Sequence, residues 1–113
     1  MIRPFVISVD FDGTLCDHRF PGMGEPHWDV IKALIKLRAA GHKLILWTCR
    51  EGDNLTAALQ WSHQHGLDFD AVNENLTENI RACGGADPRK IFADIYLDDL
   101  SCKPDDLLRM VGV

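Results

Sequence analysis

Residues 9 to 16, VDFDGTLC, set two aspartates, Asp10 and Asp12, two positions apart at the end of an apolar run, and Gly13 follows at once. Two other runs end in polar residues of the same kind. KLILWT closes on Thr48, and ADIYLDD closes on Asp98 and Asp99. Four carboxylates meeting in one crevice repel strongly unless a cation neutralises them. A donor set made of carboxylates, water and a substrate phosphate suits Mg²⁺, which takes hard oxygen ligands.

Such a crevice requires elements that bring distant residues together. Residues 5–10 are short, apolar and β-branched, and predict a first strand buried on both faces. After the Pro- and Gly-rich loop HRFPGMGEP, residues 27–40 carry Val30, Ile31, Leu34, Ile35 and Leu37 at helical spacing, with Gly41 as a stop signal. Residues 43–48 repeat the pattern of the first strand, at a distance that fits a strand, helix, strand crossover and therefore a parallel pair. Asp53 is placed to N-cap a helix that runs through Leu55, Ala58, Leu59 and Ser62 to Gly66. A third strand over 69–72, a short helix over 76–83, a last strand over 93–99 and a terminal helix over 103–110, with Pro104 in its first turn, complete the pattern. Alternating strands and helices predict an α/β fold: a Rossmann-like, doubly wound parallel sheet with helices on both faces. In that architecture ligands bind beyond the carboxyl ends of the strands, where Asp10, Asp12, Thr48, Asp98 and Asp99 fall.

DFDGTL after an apolar strand, Thr48 ending the second strand, Lys90 ahead of the last one and LDD at its end together resemble the haloacid dehalogenase-like phosphohydrolases. The four motifs of that family follow in this order over residues 5 to 99. The resemblance implies a Mg²⁺-dependent phosphomonoesterase. Asp10 would be the nucleophile that forms an aspartyl-phosphate. Asp12 would protonate the leaving alcohol and then activate water. Two carboxylates in two roles need environments that separate their pKa values. Metal ligation falls to Asp10, the main-chain carbonyl of Asp12 and Asp98, with Asp99 acting through water or orienting the others. Gly13 would turn the chain sharply and bring backbone amides to the phosphate, and Thr14 would hold that turn through its hydroxyl. Thr48 would donate to a phosphoryl oxygen, and Lys90 would neutralise charge in the transition state. The dehalogenating members keep no acidic residue at the place of Asp12, so the chain is expected to act on phosphate.

Members of the superfamily usually restrict their substrates with a cap inserted after the first or the third strand. Neither gap has room for one here, so residues 1–113 read as one capless domain with an open crevice. A bulky substrate or a second subunit would cover it. Cys49, Arg50 and Asn73 join Gly13 and Thr14 as candidate substrate contacts. Arg50 reads either as a guanidinium for a second anionic group or as half of a surface ion pair. Asn73 and Asn75 either face the site or form a turn. Arg19, Phe20 and Met23 either form a flap or cross the surface. Cys49 reads as a buried, inert thiol, Trp28, Trp47 and Trp61 as core or packing residues, and His63 and His65 as partners of a helix dipole.

Composition narrows the partners. A formal charge of −5 argues against a general binder of nucleic-acid backbones. Cys16, Cys49, Cys83 and Cys102 show no C-x-x-C spacing and read as reduced thiols of a cytoplasmic protein. The stretch ahead of Asp10 is too short for a secretory core, and no run approaches a membrane span. The expected partner is a small phosphorylated substrate, a nucleotide or another phosphometabolite. Two rivals stand beside the hydrolase: a phosphotransferase of the same fold, and a binding or regulatory protein that has lost turnover. The presence of both Asp10 and Asp12 counts against the second. An open site and a small core also leave room for a homodimer.

Overall fold

The computed structural model describes residues 3–82, 84–85, 91–99 and 103–112. In chain order the elements are β1 (Val6–Val9), α1 (Trp28–Ala39), β2 (Lys43–Leu46), α2 (Gly52–Gln64), β3 (Ala71–Val72), α3 (Thr77–Ala82), β4 (Ile95–Leu97) and α4 (Pro104–Val111). All strand pairs are parallel, in the order β3-β2-β1-β4. The α/β, Rossmann-like reading holds.

Strand alternation sends Ile7 and Val9 to one face of β1 and Val6 and Ser8 to the other. On the first face, Ile7, Val9, Leu44, Leu46 and Leu97 pack with Ile31, Leu34 and Leu37 of α1, Ala58 of α2 and Leu107 of α4. On the second, Val6 and Ile45 meet Leu76 and Ile91. Cover on both sides explains why all four β1 residues are buried and why the strand reads as an unbroken apolar run.

Helix boundaries follow the available hydrogen bonds. His27 occupies the N-cap position of α1 without capping it, since its ring nitrogens bond the Thr14 carbonyl (3.0 Å) and Asp17 (2.8 Å) instead. Asp53 is not the N-cap of α2. The Leu55 N–H already reaches the Glu51 carbonyl (3.2 Å), so the helix begins earlier and Glu51 takes the cap position. Asp53 instead sits in the first turn, where its charge still favours the positive helix end. At the other end the His65 ring meets the Trp61 carbonyl (2.6 Å), consistent with a histidine at a helix C-terminus. Pro104 opens α4 where its missing N–H costs nothing.

The order β3-β2-β1-β4 sets where the polar strand ends lie. From β1 the chain steps through β2 to β3 at one edge, then returns past both to β4 on the far side of β1. The direction of winding reverses between β1 and β4, which opens a crevice beyond their carboxyl ends. The strands themselves stop at Val9, Leu46 and Leu97. Asp10, Trp47 and Asp98 are the next residues out.

Candidate active site

Asp10 and Asp12 are held apart by what lies between them. The Asp10 N–H donates to the Leu97 carbonyl (3.0 Å) and the Trp47 N–H to the Val9 carbonyl (2.8 Å), so ladder bonding continues one residue past each strand. Phe11 is fully buried and meets Trp61 edge-on, with ring centroids 5.4 Å apart. An apolar anchor between two acids directs both carboxylates out of the core.

Past Asp12 the chain turns tightly. The Phe11 carbonyl accepts from the Thr14 and Leu15 N–H groups (3.2 and 2.9 Å), and the Gly13 N–H donates to the Cys16 carbonyl (2.8 Å). Gly13 has φ +82°, and a Cβ there would lie 2.1 Å from the His18 Nε2. The positive φ favours glycine, and a Cβ would require the exposed His18 ring to move. These backbone bonds and the His27 ring on the Thr14 carbonyl hold the turn, while the Thr14 hydroxyl is buried and has no hydrogen-bond partner among the described residues, contrary to the expectation that it fastens the loop. His18, which lies over Gly13, also reaches Asp99 (Nε2 to Oδ2, 3.3 Å).

Arg50 corrects the reading made from sequence. It is neither a mouth residue nor half of a surface pair, for it is only 2% exposed. Its Nε and Nη2 grip both oxygens of Asp12 at 2.9 and 2.7 Å. The remaining N–H groups reach the carbonyls of Gly22 (2.7 Å), Pro21 (3.0 Å) and Asn54 (3.4 Å). The guanidinium lies between the rings of Phe11 and Phe20, 4.8 and 5.1 Å from their centroids. With every donor engaged inside the protein, Arg50 has none left for a substrate anion. It straps the 17–25 loop across the Asp12 side chain, so Phe20 and Met23 pack onto a fastened loop.

Thr48 lies two residues beyond the end of β2, which stops at Leu46 and not at Thr48 as expected. Its hydroxyl oxygen accepts from the Arg50 N–H (3.1 Å), which leaves the hydroxyl proton to donate elsewhere. Asn73, at φ 53°, takes the Thr48 N–H on its side-chain oxygen (2.8 Å) and so braces Thr48. Asn75 is buried and accepts from the Phe92 N–H (2.6 Å). Cys49 is exposed, and Trp28 and Trp47 are 46% and 41% exposed, so none of the three is a core residue. Lys90, Cys83 and Cys102 lie outside the described residues.

Charge crowds around Asp10. Its carboxyl is pushed above the usual range, first by burial and then by repulsion from Asp12, Asp99 and Asp98, with the Phe11 N–H pulling the other way. Two clefts flank this cluster. One of about 190 Å³ is lined by Ser8, Asp10, Trp47, Tyr96, Leu97 and Asp98. The other, of about 250 Å³, runs from Gly13 and Thr14 past Asp98 and Asp99 to Lys103, with His27 on its wall. Of these lining residues, Lys103, His27 and Tyr96 went unread in the sequence, as did His18 above Gly13.

No protein-family profile matches the chain, and no curated protein matches it. Among solved structures, one described as that of the conserved protein coded by locus from Bacteroides thetaiotaomicron is 34% identical, spanning 97% of this chain and 91% of that one, with a TM-score of 0.83. The chain belongs to the family of that conserved protein.

In this member of the family, Asp10, Asp98 and Asp99 offer oxygen donors of the type a hard divalent cation takes, and positive charge there would oppose the burial and repulsion that raise the Asp10 carboxyl. The fourth carboxylate is turned away: both Asp12 oxygens point to Arg50. No group of three or more acidic, imidazole or thiol side chains is set to hold a metal among the described residues. No helix among them is long and apolar enough to cross a membrane.

Proposed function

We propose that this protein is a phosphomonoester hydrolase that works through an aspartyl-phosphate on Asp10 and requires Mg²⁺. The observation that supports the reading is the place of Asp10 just beyond β1 at the β1/β4 reversal, with Asp12 two residues on, Asp98 and Asp99 just beyond β4 and Thr48 just beyond β2. Each has a part in one displacement sequence. A carboxylate oxygen of Asp10 attacks phosphorus, the ester P–O bond breaks, and the departing oxygen takes a proton from Asp12. Asp12 then accepts a proton from water as that water attacks the aspartyl-phosphate, which returns free Asp10 and inorganic phosphate. Thr48 donates its hydroxyl proton to a phosphoryl oxygen. Asp10, Asp98 and the Asp12 carbonyl would hold Mg²⁺, with Asp99 behind them; the ion supplies charge neutralisation for phosphate and carboxylates alike. Lys90 is the proposed second cation.

Arg50 sets a condition on this chemistry. Both Asp12 oxygens accept from it, so carrying a proton requires one of them to leave the guanidinium. That observation also favours a rival, a protein that binds phosphate groups on this scaffold without turnover. Hydrolysis of a chromogenic phosphate monoester with Mg²⁺, with EDTA, and by Asp10→Asn and Asp12→Asn separates the two. Metal-dependent release lost in both variants is the expected result. A folded wild-type protein that binds phosphate esters and releases no phosphate from any of them refutes the hydrolase.

A further inference from the structure

Two exposed aromatic side chains stand beside Asp10. Trp47 is 41% and Tyr96 36% exposed, and their rings lie 5.7 Å apart at 54°. Ser8 is in register with Tyr96 on one side and Ile45 on the other. Two residues further along, that same face of the sheet carries Asp10, Trp47 and Asp98. Trp47 after β2 and Tyr96 in β4 therefore flank β1 and lean toward each other above Ser8, whose small side chain leaves them the room. The Tyr96 hydroxyl donates to the Ile91 carbonyl (2.5 Å), which anchors its ring in place. These rings form the wall of the cleft of about 190 Å³ that includes Asp10.

The size and position of the cleft select an occupant. A cavity of about 150 Å³ holds one benzene, so this cleft has room for a six-membered ring against the two aromatic side chains. Because Asp10 lines the same cleft, such a ring must be joined close to the phosphate.

Resting on the reaction proposed at Asp10, we infer that Trp47 and Tyr96 form an aromatic shelf for the leaving group, and that the substrates are phosphate monoesters with one aromatic ring on, or one carbon from, the ester oxygen. Ring faces and edges of this kind stack or meet edge-on with a bound ring. A free aryl or benzylic phosphate and a phosphotyrosine side chain present the same chemistry.

The test compares benzyl phosphate with cyclohexylmethyl phosphate, which match in bulk and leaving-group type and differ in aromaticity. Wild-type kcat/KM is expected to favour the benzyl ester roughly 3- to 10-fold, the size of one aromatic contact. Trp47→Leu should lower kcat/KM for the benzyl ester roughly 3- to 10-fold more than for the cyclohexylmethyl ester and so erase the preference, and Tyr96→Phe should retain it. Phenyl phosphate and a phosphotyrosine peptide are run alongside; the better substrate names the source, and either supports the shelf. Equal kcat/KM for the matched esters, unaltered in Trp47→Leu, overturns the shelf and leaves the hydrolase standing. Phenylphosphonate titrated into Asp10→Asn gives an independent readout in the indole Nε1–H resonance that Trp47→Leu removes. A saturable shift in a protein that cleaves no ester upholds the shelf and fells the hydrolase reading alone, whereas no shift overturns the shelf.

Discussion

Replacing Arg50 with methionine removes the guanidinium while keeping much of the buried stem. Two charge-assisted bonds to Asp12 disappear, and the carbonyls of Pro21 and Gly22 lose their donor. Breaking one side of a buried pair costs about 3 to 5 kcal/mol. The Asp12 side chain keeps 20% exposure and water can reach it, so the lower end applies, about 3 kcal/mol. In a domain of this size that lowers Tm by roughly 12 to 18 °C. Thermal unfolding by circular dichroism of the wild type, Arg50→Met, Asp12→Ala and the double variant measures the effect and its partner. The Arg50→Met loss should shrink by about 2 kcal/mol in the Asp12→Ala background. Arg50→Lys should rescue little, because an ammonium cannot grip both oxygens while reaching two carbonyls. A Tm fall under about 3 °C, or an equal fall with and without Asp12, would refute the strap.

Three further outcomes follow from the same geometry. Asp10→Asn should raise Tm by a few degrees at neutral pH in EDTA, the usual direction when a functional charge is held against its surroundings. Because burial and repulsion raise the folded carboxyl above its unfolded value, the wild type loses stability as pH rises through that window, so the gain should vanish below about pH 4 in a pH series of melts. Asp94 behaves oppositely: its bond from Arg3, and to a lesser degree the Val6 N–H, depresses the carboxyl against the burial that raises it. Its contribution, about 1 kcal/mol after solvent screening, is present above the unfolded value near 3.8 and lost as pH falls through the lower folded one. Acid titration followed by fluorescence should therefore show a shallower loss in Asp94→Asn, and identical acid limbs would contradict the assignment. Gly13→Ala should cost about 1 to 2 kcal/mol for its positive φ, with the exposed His18 swinging aside; phosphate release should fall far more than Tm, and an active, stable variant would contradict the close approach.

Much of the fold was legible because the signals were local. Val6–Val9 and Lys43–Leu46 are short apolar runs that only a doubly covered parallel strand accommodates, and Ile31, Leu34 and Leu37 mark one face of α1. Boundaries moved by a residue or more where a bond competed, as the Leu55 to Glu51 bond did at α2. The polar strand ends were legible for the same reason, since Asp10, Thr48 and Asp98 interrupt apolar runs. Arg50 was not, because its partner Asp12 lies 38 residues away and nothing in TCREG marks the arginine as buried. The Thr14 hydroxyl was misjudged because the backbone satisfied the turn without it. Trp47 was available to a stricter reading: with Leu46 inward, alternation sends the next residue to the opposite face, beside Asp10.

The placement of the two aspartates answers to the core as much as to chemistry. Phe11 can lie fully buried against Trp61 only if its neighbours point outward. The strand's last alternation thus produces an acid, an anchor and an acid in three residues. Separating the two acids then takes a second long-range device, Arg50, which draws Asp12 toward the strapped loop while Asp10 stays with Asp98 and Asp99. Neither device is interchangeable with the other. Trimming Phe11 to alanine would leave a cavity costing about 3 to 5 kcal/mol and loosen both carboxylates at once, whereas loss of Arg50 would free Asp12 alone. The separation of Asp10 from Asp12 therefore depends on one arginine that the chain supplies 38 residues later, and any change to the 17–25 loop that disturbs its carbonyl partners reaches the site through that side chain.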